Sequence, residues 1–335
     1  MGTTPVVFLA IYCNIILLIC LVAIFIFYIL VIKNRGASAW EKHLAIFHVS
    51  RHNGCEVSIL ASLFCCPLCG GALFHTDHSY RCPTGHCFDQ AAAGYVHLLP
   101  ANRKHSANPG DDKDMVAARS AFLSKGYYAP LRQAICQLAG EELKSLPSPA
   151  ILDSGCGEGY YTAELFRALF SQGLSPQVAG VDLSKFALRR AAKQLPQGEF
   201  AVASVYHLPL ANESVDLITN VFSPLAIEEF SRVLKFGGTF LYVVPSALHL
   251  WEMKQVLYPE PYENPVKRDN YTGFEWQCTE SVRYTIHLDC SADIMALFGM
   301  TPYAWKTPKE GIEKLSMLDS LDTQIGFDIH CYKRI

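Results

Sequence analysis

One glycine-rich run, Asp153-Ser-Gly155-Cys-Gly157-Glu-Gly159, constrains the fold of this chain more than any other feature. It follows a short apolar stretch and precedes a segment with helical spacing, so it is predicted to be a strand-to-helix turn. Glycine lets the backbone approach a ligand, and the first turn of a helix presents free N–H groups. A dinucleotide site would carry G-x-G-x-x-G instead. The tighter pattern is typical of loops that bind S-adenosylmethionine, and it predicts that Gly155 and Gly157 lie under its methionine and ribose.

Short apolar runs alternate with segments of helical spacing on both sides of this turn. The predicted strands are Ala150–Asp153, Gln177–Asp182, Phe200–Ala203, Val215–Asn220 and Thr239–Val244, with Gly326–Tyr332 as a final edge strand. The predicted helical regions are Lys113–Leu146 (interrupted at Gly126 and Pro130), Tyr160–Ser171, Ser184–Leu195 and Leu225–Leu234, the last of these ending at Gly237-Gly238. This alternation predicts an α/β fold with a doubly wound, mostly parallel sheet. Together with the glycine loop, it predicts a Rossmann-like class I methyltransferase.

Two acidic residues complete the predicted cofactor site. Asp182 ends the second strand in Gly180-Val-Asp182, where a carboxylate can bond the ribose hydroxyls of a nucleoside. Asp153 is expected to orient the glycine loop and the amino group of the cofactor. A glycine loop alone is a weak signal, but the loop, Asp182 and the alternating pattern together favour a cofactor site over a merely structural turn.

A cluster of cysteines near the front of the chain predicts a metal site. Cys66-Pro-Leu-Cys69 is separated by twelve residues from Cys82-Pro-Thr-Gly-His86. Two short turns at this separation can converge on one Zn²⁺, for which thiolate and imidazole are preferred ligands. A closed shell of three cysteines and one histidine predicts a structural site that keeps a small module folded. Buried cysteines without a metal are the alternative, and Cys65 and Cys87 are the neighbours that could replace a ligand.

The first part of the chain is a separate question. Residues 5–32 carry no charge and exceed the roughly 20 apolar residues needed to cross a bilayer. Because Lys33 and Arg35 follow this stretch and nothing basic precedes it, the positive-inside rule places the remaining chain in the cytoplasm. The alternative is a wrongly assigned start, with translation beginning at a codon now read as Val57, Leu60 or Leu63. The predicted domains are an apolar extension (1–63), a zinc-binding module and loop (64–112), and a methyltransferase domain (113–335).

From Phe64 to Ile335 the chain resembles the 23S ribosomal RNA (guanine-N1-)-methyltransferases of the RlmA type. The resemblance rests on the two cysteine half-sites and on Tyr80-Arg-Cys82-Pro, His86-Cys-Phe-Asp89, Gly94-Tyr-Val-His-Leu-Leu-Pro100, Pro109-Gly-Asp111, Ala118-Arg119, Phe122-Leu, Gly157-Glu-Gly-Tyr-Tyr-Thr162 and Met300-Thr-Pro-Tyr-Ala-Trp305. A generic methyltransferase would share the glycine loop but not the joined zinc module. The apolar N-terminal stretch departs from the family, whose members are cytoplasmic.

The resemblance implies methyl transfer to N1 of a guanine in a domain II hairpin of 23S ribosomal RNA. It implies that zinc is held by Cys66, Cys69, Cys82 and His86. It also implies that the cofactor is contacted by Tyr128, Tyr161, Thr162 and His249. Other partners expected are a membrane, through residues 5–32 where that stretch is made, and a second copy of the chain.

The sequence leaves the acceptor side open. Guanine N1 must lose a proton, so a base or a hydrogen-bond donor to O6 would help. Asn220 and Ser223 follow the fourth strand and are the first candidates, Asp111 is an acidic alternative, and plain loop residues are the other reading. RNA contacts are expected from Arg81, Arg103, Lys104 and Arg119, with Tyr80 and Tyr95 for stacking.

Two other functions compete with this reading. The net charge of -3 favours a small-molecule methyltransferase whose zinc module covers the active site. A membrane-anchored zinc adaptor with a vestigial fold is the other alternative, and the intact glycine loop and Asp182 argue against it.

Overall fold

The computed structural model describes residues 50–52, 55–57, 60–103, 110–266, 270–305 and 307–335. The strands are β1 Ser50–His52, β2 Cys55–Val57, β3 Leu60–Cys65, β4 Ala72–Thr76, β5 Ser79–Arg81, β6 Cys87–Asp89, β7 Tyr95–His97, β8 Ala150–Ser154, β9 Gln177–Asp182, β10 Glu199–Val202, β11 Val215–Val221, β12 Leu234–Pro245, β13 Phe274–Leu288 and β14 Leu321–Arg334. The α-helices are α1 Lys113–Ser124, α2 Ala129–Leu143, α3 Tyr160–Ser171, α4 Lys185–Gln194, α5 Ile227–Val233, α6 Trp251–Leu257, α7 Ser291–Gly299 and α8 Lys309–Ser316. Short 3-10 helices span Ala101–Arg103 and Pro302–Trp305.

Eight strands form one sheet in the order β13-β14-β12-β11-β8-β9-β10-β7. The pairs from β7 through β12 are parallel, and β14 runs antiparallel to both β12 and β13. The predicted α/β class with a mostly parallel sheet is therefore confirmed. The cofactor-loop strand β8 lies in the middle of the sheet, which is where the strand order of a doubly wound fold reverses and ligands bind.

Alternate residues of the central strands face two separate cores. Ile151 and Leu217 pack with helices α2, α3 and α4, whereas Leu152 and Ile218 pack on the opposite face. This is the period of two expected when both faces of a strand are buried. On the second face the cover comes from α5 and from the cysteine-rich module, whose Phe64, Leu73 and Tyr80 belong to that core.

The cysteine-rich module is a four-stranded antiparallel sheet, β3-β4-β5-β6. Its chain then continues into β7, which pairs in parallel with β10 at the edge of the large sheet. Cys65 N–H also donates to Pro209 O at 2.7 Å. The domain boundary predicted at residue 112 stays a prediction, but the strand Tyr95–His97 inside the predicted module belongs to the large sheet.

Two details of the predicted fold are wrong. The helix before β12 ends at Val233, and Gly237-Gly238 lie inside β12, where the pairing with β11 shifts between Val215–Leu234 and Leu217–Thr239. The glycines therefore form a bulge rather than a helix cap. The predicted edge strand at Gly326–Tyr332 lies within β14, an interior strand, because β13 covers its outer side.

The predicted span 5–32 and the predicted RNA contact Lys104 lie outside the described residues. Within the residues that the structure does describe, none of the helices has the length and apolar character that a bilayer crossing requires.

Candidate cofactor site and metal centre

The glycine loop connects the end of β8 to the start of α3. Gly155, Gly157 and Gly159 all have positive φ, at 78°, 54° and 82°. A Cβ atom on Gly155 would lie 1.9 Å from Ser223 Oγ, so only glycine fits where the loop after β11 rests on it. The sequence therefore folds here into a turn that side chains would block, at the free end of a twelve-residue helix.

Asp182 joins this loop to the neighbouring strand. Its Oδ2 accepts the Gly157 N–H at 2.9 Å and its Oδ1 accepts the Ser184 N–H at 2.7 Å. Burial raises the pKa of Asp182, while these two backbone hydrogen bonds act to lower it. The structure thus brings Gly157 and Asp182 together, in the arrangement that a nucleoside ribose needs at the end of the second strand.

Asp153 is almost fully buried and serves the scaffold of the loop. Its Oδ2 accepts the Thr162 hydroxyl at 2.5 Å and its Oδ1 accepts the Thr219 hydroxyl at 3.0 Å. Burial raises the pKa of Asp153 to about 6 against the opposing effect of these hydrogen bonds. Asp153 therefore ties α3 and β11 to β8, and any contact with a cofactor would come on top of these bonds. Thr219 was missed in the sequence because its role depends on a partner on another strand.

Polar atoms without a partner surround the loop. Among the described residues, five buried side-chain atoms have no hydrogen-bond partner within the protein: Ser154 Oγ, Glu158 Oε2, Tyr160 OH, Tyr161 OH and Asn220 Oδ1. Buried polar groups in folded proteins are nearly always paired, so such a group beside a loop needs an explanation. A polar ligand held at the loop supplies it. The unpartnered atoms in and directly after the loop, from Ser154 to Tyr161, fit S-adenosylmethionine, which carries amino, carboxylate and hydroxyl groups for such atoms.

An aromatic cluster holds two more of the predicted cofactor residues. Tyr128 and His249 both pack on Phe327, with ring centroids 4.9 Å and 4.7 Å from it. His249 Nδ1 accepts the Gly326 N–H at 3.3 Å. Burial, aided by the positive charges of Lys254 and Arg283, lowers the pKa of His249 to about 3, so its ring is neutral at physiological pH. Phe327 itself was missed, since nothing in its local pattern separates it from an ordinary core residue.

The three acceptor-side candidates occupy different places. Asn220 is fully buried at the end of β11, with Nδ2 donating to Pro224 O at 3.1 Å, and Ser223 touches the glycine loop. Asp111 forms an ion pair with Arg119, and its backbone oxygen accepts the Ser184 hydroxyl at 2.6 Å. The structure therefore places Asn220 and Ser223 together at the loop, and Asp111 on the Asp182 side of it.

Two cavities open at the carboxyl end of β12. The larger, about 650 Å³, is lined by residues after β12 and by β13 and β14, including Leu248, Arg283 and Tyr284. The smaller, about 220 Å³, is lined by Phe222, Ser223, Tyr242 and Asn264, among others. Ligands of open α/β sheets bind outside the carboxyl ends of the strands, and the smaller cavity reaches the glycine loop, because Ser223 lines it and lies against Gly155.

The predicted metal ligands come together in the cysteine-rich module. The ligand atoms of Cys66, Cys69, Cys82 and His86 all lie within 4.8 Å of one another. Cys69 Sγ is 3.7 Å from Cys82 Sγ, and His86 Nδ1 is 3.5 Å from Cys66 Sγ and 3.4 Å from Cys82 Sγ. Tetrahedral zinc sites have sulfur–sulfur edges of roughly 3.8 Å and sulfur–nitrogen edges of roughly 3.5 Å, from the usual bond lengths. The donor set and its spacing therefore fit Zn²⁺.

Thr84, between the third and fourth of these residues, was missed in the sequence. Its hydroxyl lies 3.1 Å from Cys69 Sγ and 3.0 Å from Cys82 Sγ. The hydrogen bond from Thr84 lowers the pKa of Cys69, which favours the thiolate that a metal requires.

One predicted RNA contact is wrong. Tyr80 was expected to stack on RNA, but it lies in the core between the module and the large sheet, with 3% of its surface exposed. Glu199 was missed altogether. It is a half-buried carboxylate that accepts the Ser62 hydroxyl at 2.7 Å and the Leu63 N–H at 2.9 Å, and so fastens the first strand of the module to β10.

Known protein families match both parts of this arrangement. Residues 64–107 match a family model described as RlmA, N-terminal, a zinc ribbon, and residues 151–238 match a methyltransferase domain. A Streptomyces fradiae protein named 23S rRNA (guanine(748)-N(1))-methyltransferase is 34% identical over 263 residues, which is 76% of this chain and 91% of that protein. A Bacillus subtilis (strain 168) protein, provisionally named as a 23S rRNA (guanine-N(1)-)-methyltransferase, is 33% identical over 80% of this chain and 96% of its own length.

Among solved structures, the YcgJ protein from Bacillus subtilis aligns with a TM-score of 0.39 and 18% identity, over 56% of this chain and 92% of that one.

The fold, the glycine loop and the joined zinc ribbon define an S-adenosylmethionine-dependent class I methyltransferase. Within that class, the chain belongs to the family of 23S rRNA (guanine-N(1)-)-methyltransferases.

Proposed function

We propose that this protein transfers a methyl group from S-adenosylmethionine to N1 of one guanine in 23S ribosomal RNA. The observation that carries the proposal is the joining, in one chain, of a zinc ribbon of the RlmA type to a methyltransferase sheet, over nearly the full length of relatives named for this reaction. The finer proposal, that the guanine lies in a hairpin of domain II, follows from the family resemblance.

The roles of the cofactor residues follow from their contacts. Gly155 and Gly157 give the cofactor access to the backbone, while Asp182 holds the loop and accepts the ribose hydroxyls. Tyr128, Tyr161 and His249 form the apolar and aromatic wall, and Thr162 acts through Asp153 to fix the first turn of α3. S-adenosylmethionine supplies an electrophilic methyl group when bound, so most of the work left to these residues is orientation.

On the acceptor side, we assign Asn220 to bind the guanine edge. Its Oδ1 is buried without a partner, and an amide oxygen accepts N–H groups such as those of guanine N1 and N2. Ser223, against the loop, is placed to complete the contact. Asp111 is already paired with Arg119 and serves the cofactor side in this proposal. Cys66, Cys69, Cys82 and His86 would hold zinc, which keeps the ribbon folded and has no open position for chemistry.

Primer extension on 23S ribosomal RNA tests the proposal. Methylation of guanine N1 blocks base pairing, so incubation with the protein and S-adenosylmethionine should create one reverse-transcription stop at a single guanine. The variant Gly155→Ala should abolish it, because the added Cβ collides with Ser223. Gly173→Ala is the matched control, since Gly173 also has positive φ but has nothing within 4 Å of an added Cβ. The absence of any new stop in 23S RNA would contradict the proposal.

We also propose that the folded body works in the cytoplasm, where ribosomal RNA is available. If residues 5–32 are made, Lys33 and Arg35 favour an orientation that keeps this body on the cytoplasmic side. Mass spectrometry of the mature N-terminus tests whether that stretch is present.

A second copy of the chain is a further proposed partner. Light scattering of the purified protein tests for it.

A further inference from the structure

Phe222 has a backbone conformation that its side chain disfavours. Four non-glycine residues in the described part of the chain have positive φ: Asp77, Glu213, Phe222 and Leu250. Asp77 and Glu213 are polar residues in turns. A bulky side chain in the left-handed region is a true outlier, and such outliers persist where the surroundings impose them.

Burial explains this conformation for Leu250 but not for Phe222. Leu250 is completely buried at the start of α6, so its side chain fills the core. Phe222 is 47% exposed at φ 53°. An exposed aromatic ring in a disfavoured backbone conformation contributes little to folding, and outliers of this kind cluster at ligand sites.

The ring lies at the cavity where an acceptor would enter. Phe222 lines the smaller cavity, and the next residue, Ser223, rests against Gly155 of the cofactor loop. Two residues earlier, Asn220 has a buried amide oxygen without a hydrogen-bond partner. The ring therefore stands beside both the loop for the methyl donor and the residue assigned to the guanine edge.

The ring also rests against the aromatic cluster around Phe327. Its centroid is 5.2 Å from that of Phe327, which in turn packs on Tyr128 and His249. The Phe222 N–H reaches Val243 O at 3.4 Å, which fixes the backbone against β12. A ring that contacts an aromatic cluster and also lines a cavity is suited to carry a flat ligand.

From these observations we propose that Phe222 is the surface on which the acceptor guanine stacks, and that its backbone conformation holds the ring in the plane required for attack. The inference rests on the proposed function and adds the residue that positions the base. Enzymes that modify a base in folded RNA take it out of its stack, and aromatic side chains replace the lost stacking. Stacking tolerates any base, so Phe222 sets the plane and the hydrogen bonds of Asn220 set the identity.

Two substitutions of Phe222 separate the ring from the backbone. Phe222→Gly removes the ring and relieves the conformation, because glycine adopts positive φ freely, so the variant should fold at least as well as the parent protein. Phe222→Trp keeps a stacking surface. Phe170→Ala is the control, since Phe170 is an exposed ring on α3 that lines neither cavity.

Each protein is assayed for the primer-extension stop on 23S RNA and, by calorimetry, for binding of S-adenosylhomocysteine. We expect Phe222→Gly to lower kcat/KM for RNA by roughly 10- to 100-fold, from the strength of base–aromatic stacking, with cofactor-product affinity within about twofold. Phe222→Trp should stay within about threefold of the parent protein, and Phe170→Ala should not differ from it.

Two results with the Phe222 variants would overturn the assignment. RNA methylation by Phe222→Gly at the parent rate would show that the ring does not contact the base. A loss of cofactor-product affinity that matches the loss of rate would show that the ring packs on the cofactor instead. If the parent protein itself left 23S RNA unmethylated while still binding the cofactor product, the proposed function would fail, and the guanine assigned to Phe222 with it.

Discussion

The zinc ribbon and the methyltransferase sheet are stabilised in different ways. The large sheet buries apolar side chains on both faces, whereas the ribbon contributes a few buried residues, such as Phe64, Leu73 and Tyr80, and these belong to a core that the large sheet largely supplies. A few hydrogen bonds, such as those to Glu199, join the ribbon to the sheet, and its own turns converge on four ligand atoms within 4.8 Å of one another. A region with so little core of its own depends on its metal, while the sheet does not.

Metal removal should produce the largest difference between the two regions. Chelation, or Cys82→Ser, should unfold the β4–β6 hairpins and leave the large sheet able to bind S-adenosylhomocysteine, because structural zinc contributes about 10 kcal/mol or more to such modules. Hydrogen exchange at residues 72–89 and 150–182 measures both regions at once. Cys136→Ser, a buried thiol in α2 outside the cluster, is the control. Equal loss of protection in both regions would contradict the comparison.

The next largest effect should be a loss of cofactor-product affinity that leaves the zinc ribbon unchanged. Asp182→Ala removes the acceptor for two backbone N–H groups and the proposed ribose contact, so affinity for S-adenosylhomocysteine should fall by about 100-fold. Calorimetry measures this, and zinc content should stay at one ion per chain. Asp216→Ala is the matched control, since Asp216 instead accepts the Ala150 N–H and forms an ion pair with Lys235. Unchanged affinity in Asp182→Ala would refute the assigned cofactor site.

A smaller effect should appear in how the free energy of unfolding of the large sheet depends on pH. Burial raises the pKa of Asp153 to about 6. Because the protonated form is favoured in the folded state, its contribution to stability is greatest below about pH 4 and declines as pH rises to about 6, by about 3 kcal/mol at most. Asp153→Asn should remove this part of the slope in denaturant unfolding between pH 4 and 7. Parallel curves for the two proteins would show that Asp153 titrates normally.

The smallest expected effect concerns the junction of the two regions. Glu199→Ala leaves Ser62 Oγ and Leu63 N–H without their acceptor and should weaken the attachment of the ribbon by about 1–2 kcal/mol. Exchange at the Leu63 amide should then accelerate roughly 10-fold, while β8 stays protected. The control for Glu199→Ala is Glu213→Ala, since Glu213 is an exposed carboxylate that pairs with Arg334. If Leu63 kept its protection, the junction would depend on the apolar contact of Phe64 alone.

What could be predicted from the sequence was local. The cysteine half-sites and the glycine loop are short segments whose spacing already fixes their geometry, so Cys66, Cys69, Cys82 and His86 are found together in the structure. The strands around the loop were predicted because each is a continuous apolar run. By contrast, Thr219, Glu199 and Phe327 act through partners far away in the chain, and no local pattern marks them.

The same limit explains the errors in the fold. The segment Phe274–Leu288 alternates exposed and half-buried residues with many polar side chains, so its apolar signal is too weak to reveal β13. Without β13, the buried strand β14 was placed at the edge. Gly237-Gly238 fits a helix end and a strand bulge equally well, and only the pairing of β12 with β11 decides between them.

The pairing of β7 with β10 has a consequence for anyone who divides this protein for expression. A fragment that starts at residue 113 would lack Tyr95–His97 and would present the backbone of β10 unpaired along one border. Unpaired strand edges of this kind form hydrogen bonds with strands of other chains. Such a fragment should therefore aggregate or form oligomers whether or not its cofactor site is intact. Truncations meant to isolate the catalytic half should keep residues 95–97.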